Sequence, residues 1–420
     1  MITPLRIGII GLGGHAGIHH QGVLQLEGEG QARLVCTCDP QAAKQTKEQA
    51  DYALAARGVQ LFTDYRTMLA TCAHELDMVV VPTPIPLHAE MHRACVEHGV
   101  AVYLEKPPTL DYRELEEMIA TDRTASKAAL VGFNFIIERP RLALKQRLLD
   151  GEFGPLREAH LRVRWPRTNT YYGRAAWAGK LFAPGGKSVI LDSCFGNAMA
   201  HFVHDLLFWA GSGQLMSWAT PTTVRAELYR AHPIESTDTV FVESQTAEGV
   251  TLRFALTHAC KGDSTQCEII HCEKASIQYF IGDRAVICWH DGRIETIALG
   301  AFDPTHENHL DYYRYLRGET TRPATTLADS RPFVLLNNLI FVSSGVITPF
   351  PRNHVQTHTR PIDGQIHYTV TALESAMDVF LAEGRWPGTA QNWRLGAPAE
   401  VVTIADLPRF IPTLQALRQG

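Results

Sequence analysis

The sequence predicts a two-domain α/β protein: a doubly wound parallel sheet comes first, followed by an α+β domain built on a large, mainly antiparallel open sheet. Three observations carry this. Leu5 to Ile10 is a short apolar run that leads into a glycine turn, and apolar runs then alternate with helix-period segments as far as Phe133. Such alternation is the pattern of a parallel sheet covered on both faces. From Val224 the period changes to two, with turn signals at Glu248-Gly249, Gly282-Asp283 and Asp291-Gly292, which reads as hairpins of an antiparallel sheet. A chain of 420 residues also exceeds what one core usually serves.

The first turn holds most of the chemistry. Gly11, Gly13 and Ala16 fit the spacing G-x-G-x-x-G/A between a strand and the helix Ala16 to Gln25. Gly11 permits a tight turn, Gly13 has no Cβ to block a pyrophosphate, and Ala16 lets the helix pack closely on the strand. The turn from Gly11 through Leu12, Gly13, Gly14 and His15 to Ala16 therefore points backbone N–H groups of a helix N-terminus at an anion. Alone the motif is weak, since many glycine turns bind nothing. Its context is more specific: the next apolar run, Ala32 to Cys38, ends in Asp39, where a carboxylate would meet the hydroxyls of an adenosine ribose. Pro40 follows, with no arginine in the next few positions to receive a 2′-phosphate. NAD is expected in preference to NADP.

After Asp39 a polar helix is expected to about Arg57, then a strand Val59 to Phe62 and a helix capped near Thr63 or Asp64. Asp77 to Val81 reads as a strand buried on both faces, broken at its carboxyl end by Pro82-Thr83-Pro84, the edge at which ligands of such sheets collect. A helix Pro86 to His98, a strand Val100 to Leu104, a helix Asp111 to Arg123 and a strand Ala128 to Phe133 complete about six strands. Glu105-Lys106-Pro107-Pro108 stands at the same edge. The prolines stiffen the backbone that presents Lys106 where a nicotinamide would lie. In isolation the same lysine would read as a solvated surface residue.

Composition narrows the function classes. Hydrophobic residues make up 45%, charged residues 20%, and the formal net charge is -5, so no basic excess favours nucleic acid or an anionic membrane. The nine cysteines are scattered without paired spacing, which argues for reduced thiols and a cytoplasmic protein. The first core strand begins too early to leave room for a signal peptide, and no apolar run approaches the ~18 residues that span a bilayer.

These residues resemble the glucose-fructose oxidoreductase, inositol dehydrogenase and MocA family of NAD(P)-dependent sugar and polyol dehydrogenases. The resemblance rests on GLGGHAGIHH with His19 after the glycines, Asp39-Pro40, the Val-Pro-Thr-Pro run ending at His88, Glu105-Lys106-Pro107, and Gly132-Phe133-Asn134 followed by Arg139-Pro140. It covers about Leu5 to Gly211 well. It implies a cofactor site drawn from the glycine turn, Asp39, Pro82, Thr83, Pro84, His88, Glu105, Lys106 and Asn134. It also implies that Lys106 contacts both cofactor and a substrate hydroxyl, with Asn134 beside the substrate.

Domain boundaries are expected at 1–132 for the dinucleotide-binding domain, 133–345 for substrate binding and oligomerisation, and 346–420 for an extension packed on the second domain. A helix Pro140 to Leu149 and a strand Leu156 to Trp165 lead to WPRTNTYYGRAAWAGK, from Trp165 to Lys180. Its aromatic faces beside cations make Arg167, Tyr172, Arg174 and Trp177 candidates for holding a sugar. The bland alternative is a loop whose tryptophans merely pack on the sheet. A helix Phe195 to Ala210 then carries Asn197 and His201 one turn apart, with Phe202, Leu206 and Trp209 on a separate core stripe.

The resemblance places a carboxylate and a histidine at that spacing here, but the carboxylate position is Asn197. An asparagine orients a hydroxyl without accepting its proton. Either His201 and Lys106 carry the proton chemistry, or Asp192 substitutes from the helix entrance. Lys106 and His201 are expected to serve one substrate hydroxyl. No metal is expected, because His258, Cys260, Cys267, His271 and Cys272 lack the paired spacing of a zinc site.

The expected activity is oxidation of a secondary hydroxyl of a sugar, polyol or sugar derivative by hydride transfer to nicotinamide C4. Two alternatives stand beside it: glycoside cleavage or elimination through transient oxidation, and a non-catalytic regulator that binds NAD and a sugar. The open sheet face is expected to pair in a homo-dimer or homo-tetramer.

Overall fold

The computed structural model describes residues 3–186, 188–394 and 397–419, and divides into two compact units. The first comprises the chain through Ile137 together with Phe302–Arg331; the second comprises Glu138–Ala301 and the chain from Pro332 onward. The chain thus passes between the units three times, because the segment that carries the helix Pro304–Leu316 returns to the first unit. Its anchors explain the return. Tyr312 Oη donates to the Ala128 carbonyl at 3.0 Å, and Val131 N donates to the Thr325 carbonyl at 2.8 Å.

The first unit is built on six parallel strands: β1 (Leu5–Ile10), β2 (Ala32–Cys38), β3 (Gln60–Phe62), β4 (Met78–Val81), β5 (Ala101–Leu104) and β6 (Leu130–Val131), in the order β3-β2-β1-β4-β5-β6. The order reverses at β1, whose neighbours are β2 and β4, and the carboxyl ends of strands beside such a reversal form a ligand crevice. All four residues of β4 and of β5 are buried, as continuous apolar runs between two helical layers should be. Helix Ala16–Gly28 follows the glycine turn, and Asp64 and Asp111 cap the helices Tyr65–Cys72 and Tyr112–Asp122 through their side chains. The polar helix expected between Asp39 and Arg57 is broken. It resolves into short turns at Ala42–Lys44 and Thr46–Asp51, and Ala53 adopts a φ of 51° that stops further helix.

The second unit holds a nine-stranded sheet, beside a separate antiparallel pair formed by Val355–Thr359 and Ile366–Val370. The strands of the sheet are β7 (Leu156–Arg164), β8 (Pro221–Arg230), β9 (Thr239–Thr246), β10 (Thr251–Thr257), β11 (Thr265–Cys272), β12 (Ala275–Phe280), β13 (Arg284–Trp289), β14 (Ile294–Ala298) and β15 (Ile347–Pro349). Their order is β14-β13-β12-β11-β7-β10-β9-β8-β15, antiparallel except where β10 pairs with β7 and β15 with β8. Helix Ala200–Ala210 covers one face, where Trp209 packs on Tyr279 at 5.5 Å, and Phe195 just before it lies edge-on to Phe254 at the same separation.

The other face is not wholly open. Tyr229, Phe241 and Ala255 present apolar surface there, and the chain's own Leu373, Met377, Phe380, Trp386 and Trp393 bury it. An oligomer face over β8 to β10 is therefore excluded by the tail, whose helix Leu373–Glu383 also engages Arg162 and Arg164 through Asp378 and Glu374. All nine cysteines are free thiols, and no helix among the described residues is long and apolar enough to cross a membrane.

Candidate functional site

In the first unit a cleft of about 420 Å³ opens at the carboxyl ends of β1, β2 and β4. Its lining includes Gly11, Gly13, Ala16, Asp39, Pro82, Thr83 and Pro84. Gly11 has a φ of 122°, a region open to glycine, and a Cβ there would stand 3.2 Å from that of Ala16. The turn is braced from beneath: the Gly11 carbonyl lies 2.9 Å from His20 Nε2 and accepts from Thr37 Oγ1 at 3.3 Å. Burial lowers His20 to about pKa 4, so the ring is neutral and donates to that carbonyl. His20 also stacks on Tyr52 at 4.6 Å. Asp39 accepts Leu12 N at 3.1 Å and Gln41 N at 2.8 Å, one on each oxygen. Each oxygen keeps acceptor capacity toward the cleft, which is what a vicinal ribose diol needs. A dinucleotide fits these residues: backbone donors for its phosphates and an oriented carboxylate for its ribose.

Other expected cofactor residues have different duties. His88 is buried and does not line the cleft. Its Nε2 lies 2.7 Å from the Thr83 carbonyl and its Nδ1 3.0 Å from the Pro107 carbonyl, so it ties together the two proline turns that end β4 and β5. Glu105 is also buried, with Oε1 3.0 Å from His19 Nε2 and Oε2 3.5 Å from His15 Nε2. It accepts Lys106 N at 3.0 Å, which anchors the backbone that carries the lysine. Burial alone would raise the Glu105 carboxyl, but the hydrogen bonds from His15 and His19 outweigh it and hold the group well below the usual carboxylate range. The chain of contacts continues from His19 Nδ1 to His309 Nε2 at 3.1 Å. Asn134 is held by Tyr103 Oη at 3.1 Å.

Sequence reasoning missed three members of this site. His20 and Thr37 brace the turn, and nothing in the glycine spacing signals them. Arg66 lines the same cleft as Asp39 and pairs with Glu90, which also accepts Tyr65 Oη at 2.5 Å. An arginine was sought only just after Asp39, whereas this one arrives from the next helix. His15, His19 and Glu105 are the one group of three potential metal ligands among the described residues, with ligand atoms within 4.8 Å. Their mutual hydrogen bonds account for that closeness. The strand-borne set from His258 to Cys272 does not converge in this way.

In the second unit the helix expected from Phe195 is interrupted. Cys194–Ala198 forms a π-turn and the α-helix begins only at Ala200, so Asn197 and His201 do not sit on one regular helical face. π-turns of this kind re-aim side chains at functional sites. Leu191 just before has a φ of 42°, a strained value for a branched residue. The strain and the π-turn bracket Asp192 and direct it to Asn197, whose amide donates to Asp192 Oδ1 at 2.7 Å.

Asp192 is buried and fully engaged, accepting Gly179 N at 2.7 Å and Arg174 Nη2 at 3.1 Å on Oδ2. Arg174 lies over the rings of Tyr171 at 3.7 Å and Trp177 at 4.7 Å, while Arg167 lies over Trp165 at 4.3 Å and the same Tyr171 at 4.4 Å. Trp165 meets Phe202, the neighbour of His201, at 5.9 Å. Contacts therefore run in series from Asn197 through Asp192, Arg174, Tyr171, Arg167 and Trp165 to the helix that bears His201. Tyr172 packs edge-on to Tyr171 at 5.1 Å and on His232 at 4.9 Å.

Comparison with known proteins agrees with this geometry. The model of an oxidoreductase family with an NAD-binding Rossmann fold, that of glucose-fructose oxidoreductase, inositol dehydrogenase and MocA, matches residues 5–133. Over those residues the chain is similar to that family. Among curated relatives, inositol 2-dehydrogenase of Rhizobium meliloti is 25% identical over 39% of this chain and 46% of its own length. A glycosyl hydrolase family 109 protein of Shewanella amazonensis is 28% identical over 37% of this chain and 34% of its own. The chain thus spans less than half the length of these two relatives in alignment. An oxidoreductase from Agrobacterium radiobacter, solved with NAD+, L-tartaric acid and magnesium, superposes with a TM-score of 0.67 at 17% identity, over 81% of this chain and 96% of that one. At that identity the likeness speaks for the fold alone.

Proposed function

We propose that the protein is an NAD-dependent dehydrogenase that oxidises a secondary hydroxyl of a sugar, polyol or sugar derivative. The observation that carries this reading is Asp39, oriented by two backbone N–H groups in a cleft floored by the glycine turn. Bound NAD+ would supply the hydride acceptor. Gly11, Gly13 and Ala16 leave room for its phosphates, and Asp39 receives the ribose hydroxyls and repels a 2′-phosphate.

The second unit supplies the groups that hold the substrate. Asn197, whose amide nitrogen is held by Asp192, is assigned to orient the substrate hydroxyl. The hydroxyl proton goes to Lys106 or His201. Histidine is the side chain that most often serves as a general base. Asp192 is assigned a positioning role, because its oxygens already serve Arg174, Gly179 and Asn197.

The test is incubation with NAD+ and a panel of sugars, polyols and sugar acids while following absorbance of the reduced nicotinamide. Stoichiometric NADH with at least one compound is the expected outcome. A second reading, redox-neutral glycoside cleavage, is favoured by the relative named as a glycosyl hydrolase; release of aglycone from a nitrophenyl glycoside with no net NADH would establish it instead. Ligand-induced shifts in melting temperature with neither product would point to a binding protein without turnover.

A further inference from the structure

Several cations around the loop Trp165 to Lys180 are matched by acids. Arg162 pairs with Asp378 at 2.7 Å, Arg164 with Glu374 at 3.0 Å, Arg174 with Asp192 at 3.1 Å, and Lys180 with Glu235 at 3.6 Å. Arg167, in the midst of these, has no carboxylate partner among the described residues. Its Nε is buried without a hydrogen-bond partner, and the groups that act on its charge are tyrosines and Arg174, none of them an acid. Burial pushes its pKa down, and Tyr171, which hydrogen-bonds the guanidinium, and Tyr172 offset this only in part. Half-burying a guanidinium against aromatic rings is costly unless an anion completes it.

The side chain is also shaped for one. Trp165 and Tyr171 flank the guanidinium at 4.3 and 4.4 Å, which fixes its plane and limits the rotamer freedom lost on binding. A planar fork so held matches a carboxylate or phosphate in two parallel hydrogen bonds. Trp165 connects it to Phe202, beside His201.

We propose that the substrate is an anionic sugar derivative, whose oxyanion is bound by Arg167. This rests on the dehydrogenase reading for the identity of the ligand as a sugar, but not for the existence of the anion site. Arg174 does not share the duty, because its charge is already neutralised by Asp192. The shared chemistry is an oxyanion on the sugar, either the carboxylate of a uronic or aldonic acid or the phosphate of a sugar ester.

The experiment is titration calorimetry of the full chain with NAD+ present, against a panel of uronates, aldonates and sugar phosphates and the neutral parent of each. At least one anionic sugar should bind thirtyfold or more tightly than its parent, and the arm in which it falls names the oxyanion. Arg167→Gln should reduce that preference at least tenfold, Arg167→Lys should restore part of it, and NAD affinity should be unchanged in both, which a general loss of structure would not allow. Neutral parents binding as tightly as their acids, no panel member binding at all, or a preference that survives Arg167→Gln, would each overturn the proposal. Turnover separates the two readings. Tight Arg167-dependent binding without NADH defeats the oxidation reading and leaves the anion site standing; equal kcat/KM for acids and neutral parents defeats the anion site and leaves oxidation standing.

Discussion

Asn197 donates its amide to Asp192 at 2.7 Å, and this bond divides the labour between them. Asp192, at the helix entrance, orients that amide and pairs with Arg174 at 3.1 Å. Asp192→Asn should therefore lower turnover about tenfold to a hundredfold through misorientation, leaving the pH profile of kcat unchanged in shape. Asn197→Asp sets two carboxyls within hydrogen-bond reach, and like charges so close force one to titrate above its usual range. That variant should acquire a new ionisation in its pH–rate profile. A displaced profile in Asp192→Asn would instead make Asp192 the proton acceptor.

Cofactor choice rests on a balance of charges at one end of the cleft. Asp39 disfavours a 2′-phosphate, while Arg66, which would welcome one, is held by Glu90. NAD should bind more tightly than NADP. Asp39→Ala should narrow the gap, and adding Glu90→Gln should narrow it further, since Arg66 is then released. Dissociation constants from fluorescence titration of both reduced cofactors check this. Tighter NADP binding by the unaltered protein would refute it.

The first unit was largely legible because its signals are local. Glycine spacing, Asp39 after a buried run, and proline breaks after β4 and β5 are each set within a few residues, and the hydrophobic period specifies which faces are buried. What escaped depends on chain-distant partners. Pro304–Leu316 has an ordinary helical pattern, and only the hydroxyl of Tyr312 reaching Ala128 reveals that it belongs to the first sheet. The π-turn at Cys194–Ala198 escaped because its cause is tertiary: Gly196 lies where a Cβ would be 2.8 Å from Asn337 Oδ1, a residue far along the chain. The amphipathic helix Leu373–Glu383 was readable as a helix, but nothing in its own residues said which sheet face it covers.

Sheet cover also reshapes the expected assembly. With β8 to β10 covered by the tail, the uncovered part of that face lies on β11 to β13, where Cys267, Ile269, Val286 and Cys288 are half-buried. Self-association through these strands is the proposal, since isologous pairing of sheet faces closes with two-fold symmetry. Light scattering at micromolar concentration should give twice the chain mass or more, and Ile269→Asp with Val286→Asp should yield monomer. A monomeric unaltered protein would remove the interface.

Glu105 should govern stability in acid. Its folded carboxyl lies below the usual range despite burial, through His15 and His19, and burial together with the neighbouring His19 holds His309 well below 6.5. A depressed folded value means that stability is present above the unfolded value and is lost as pH falls toward the folded one. Both groups therefore act in the same direction, with full effect above about pH 6.5 and decline below it. Glu105→Gln should cost about 3 kcal/mol at pH 7.5, the scale of breaking a buried pair, and less at pH 4. Urea denaturation across that range decides; a cost independent of pH would show that the carboxylate charge is not what the histidines recognise.

The proton acceptor is the last quantity to test, and the two candidates differ in where their effects should appear. Lys106 follows Glu105, which holds its backbone N at 3.0 Å, and its role by resemblance extends to both cofactor and substrate. His201 follows the π-turn on the helix Ala200–Ala210 and stands next to Phe202, which packs on Trp165. Lys106→Ala and His201→Ala should each lower turnover by about a hundredfold or more, the usual loss of a positioned acid or base, with NAD affinity changed less than about threefold. The group that takes the proton is identified by the limb it removes: if His201 is the base, its loss should abolish the acidic limb of kcat. If that limb persists in His201→Ala and disappears in Lys106→Met, the lysine is the base and His201 only orients the hydroxyl. Retention of full turnover in both variants would remove these residues from the chemistry altogether.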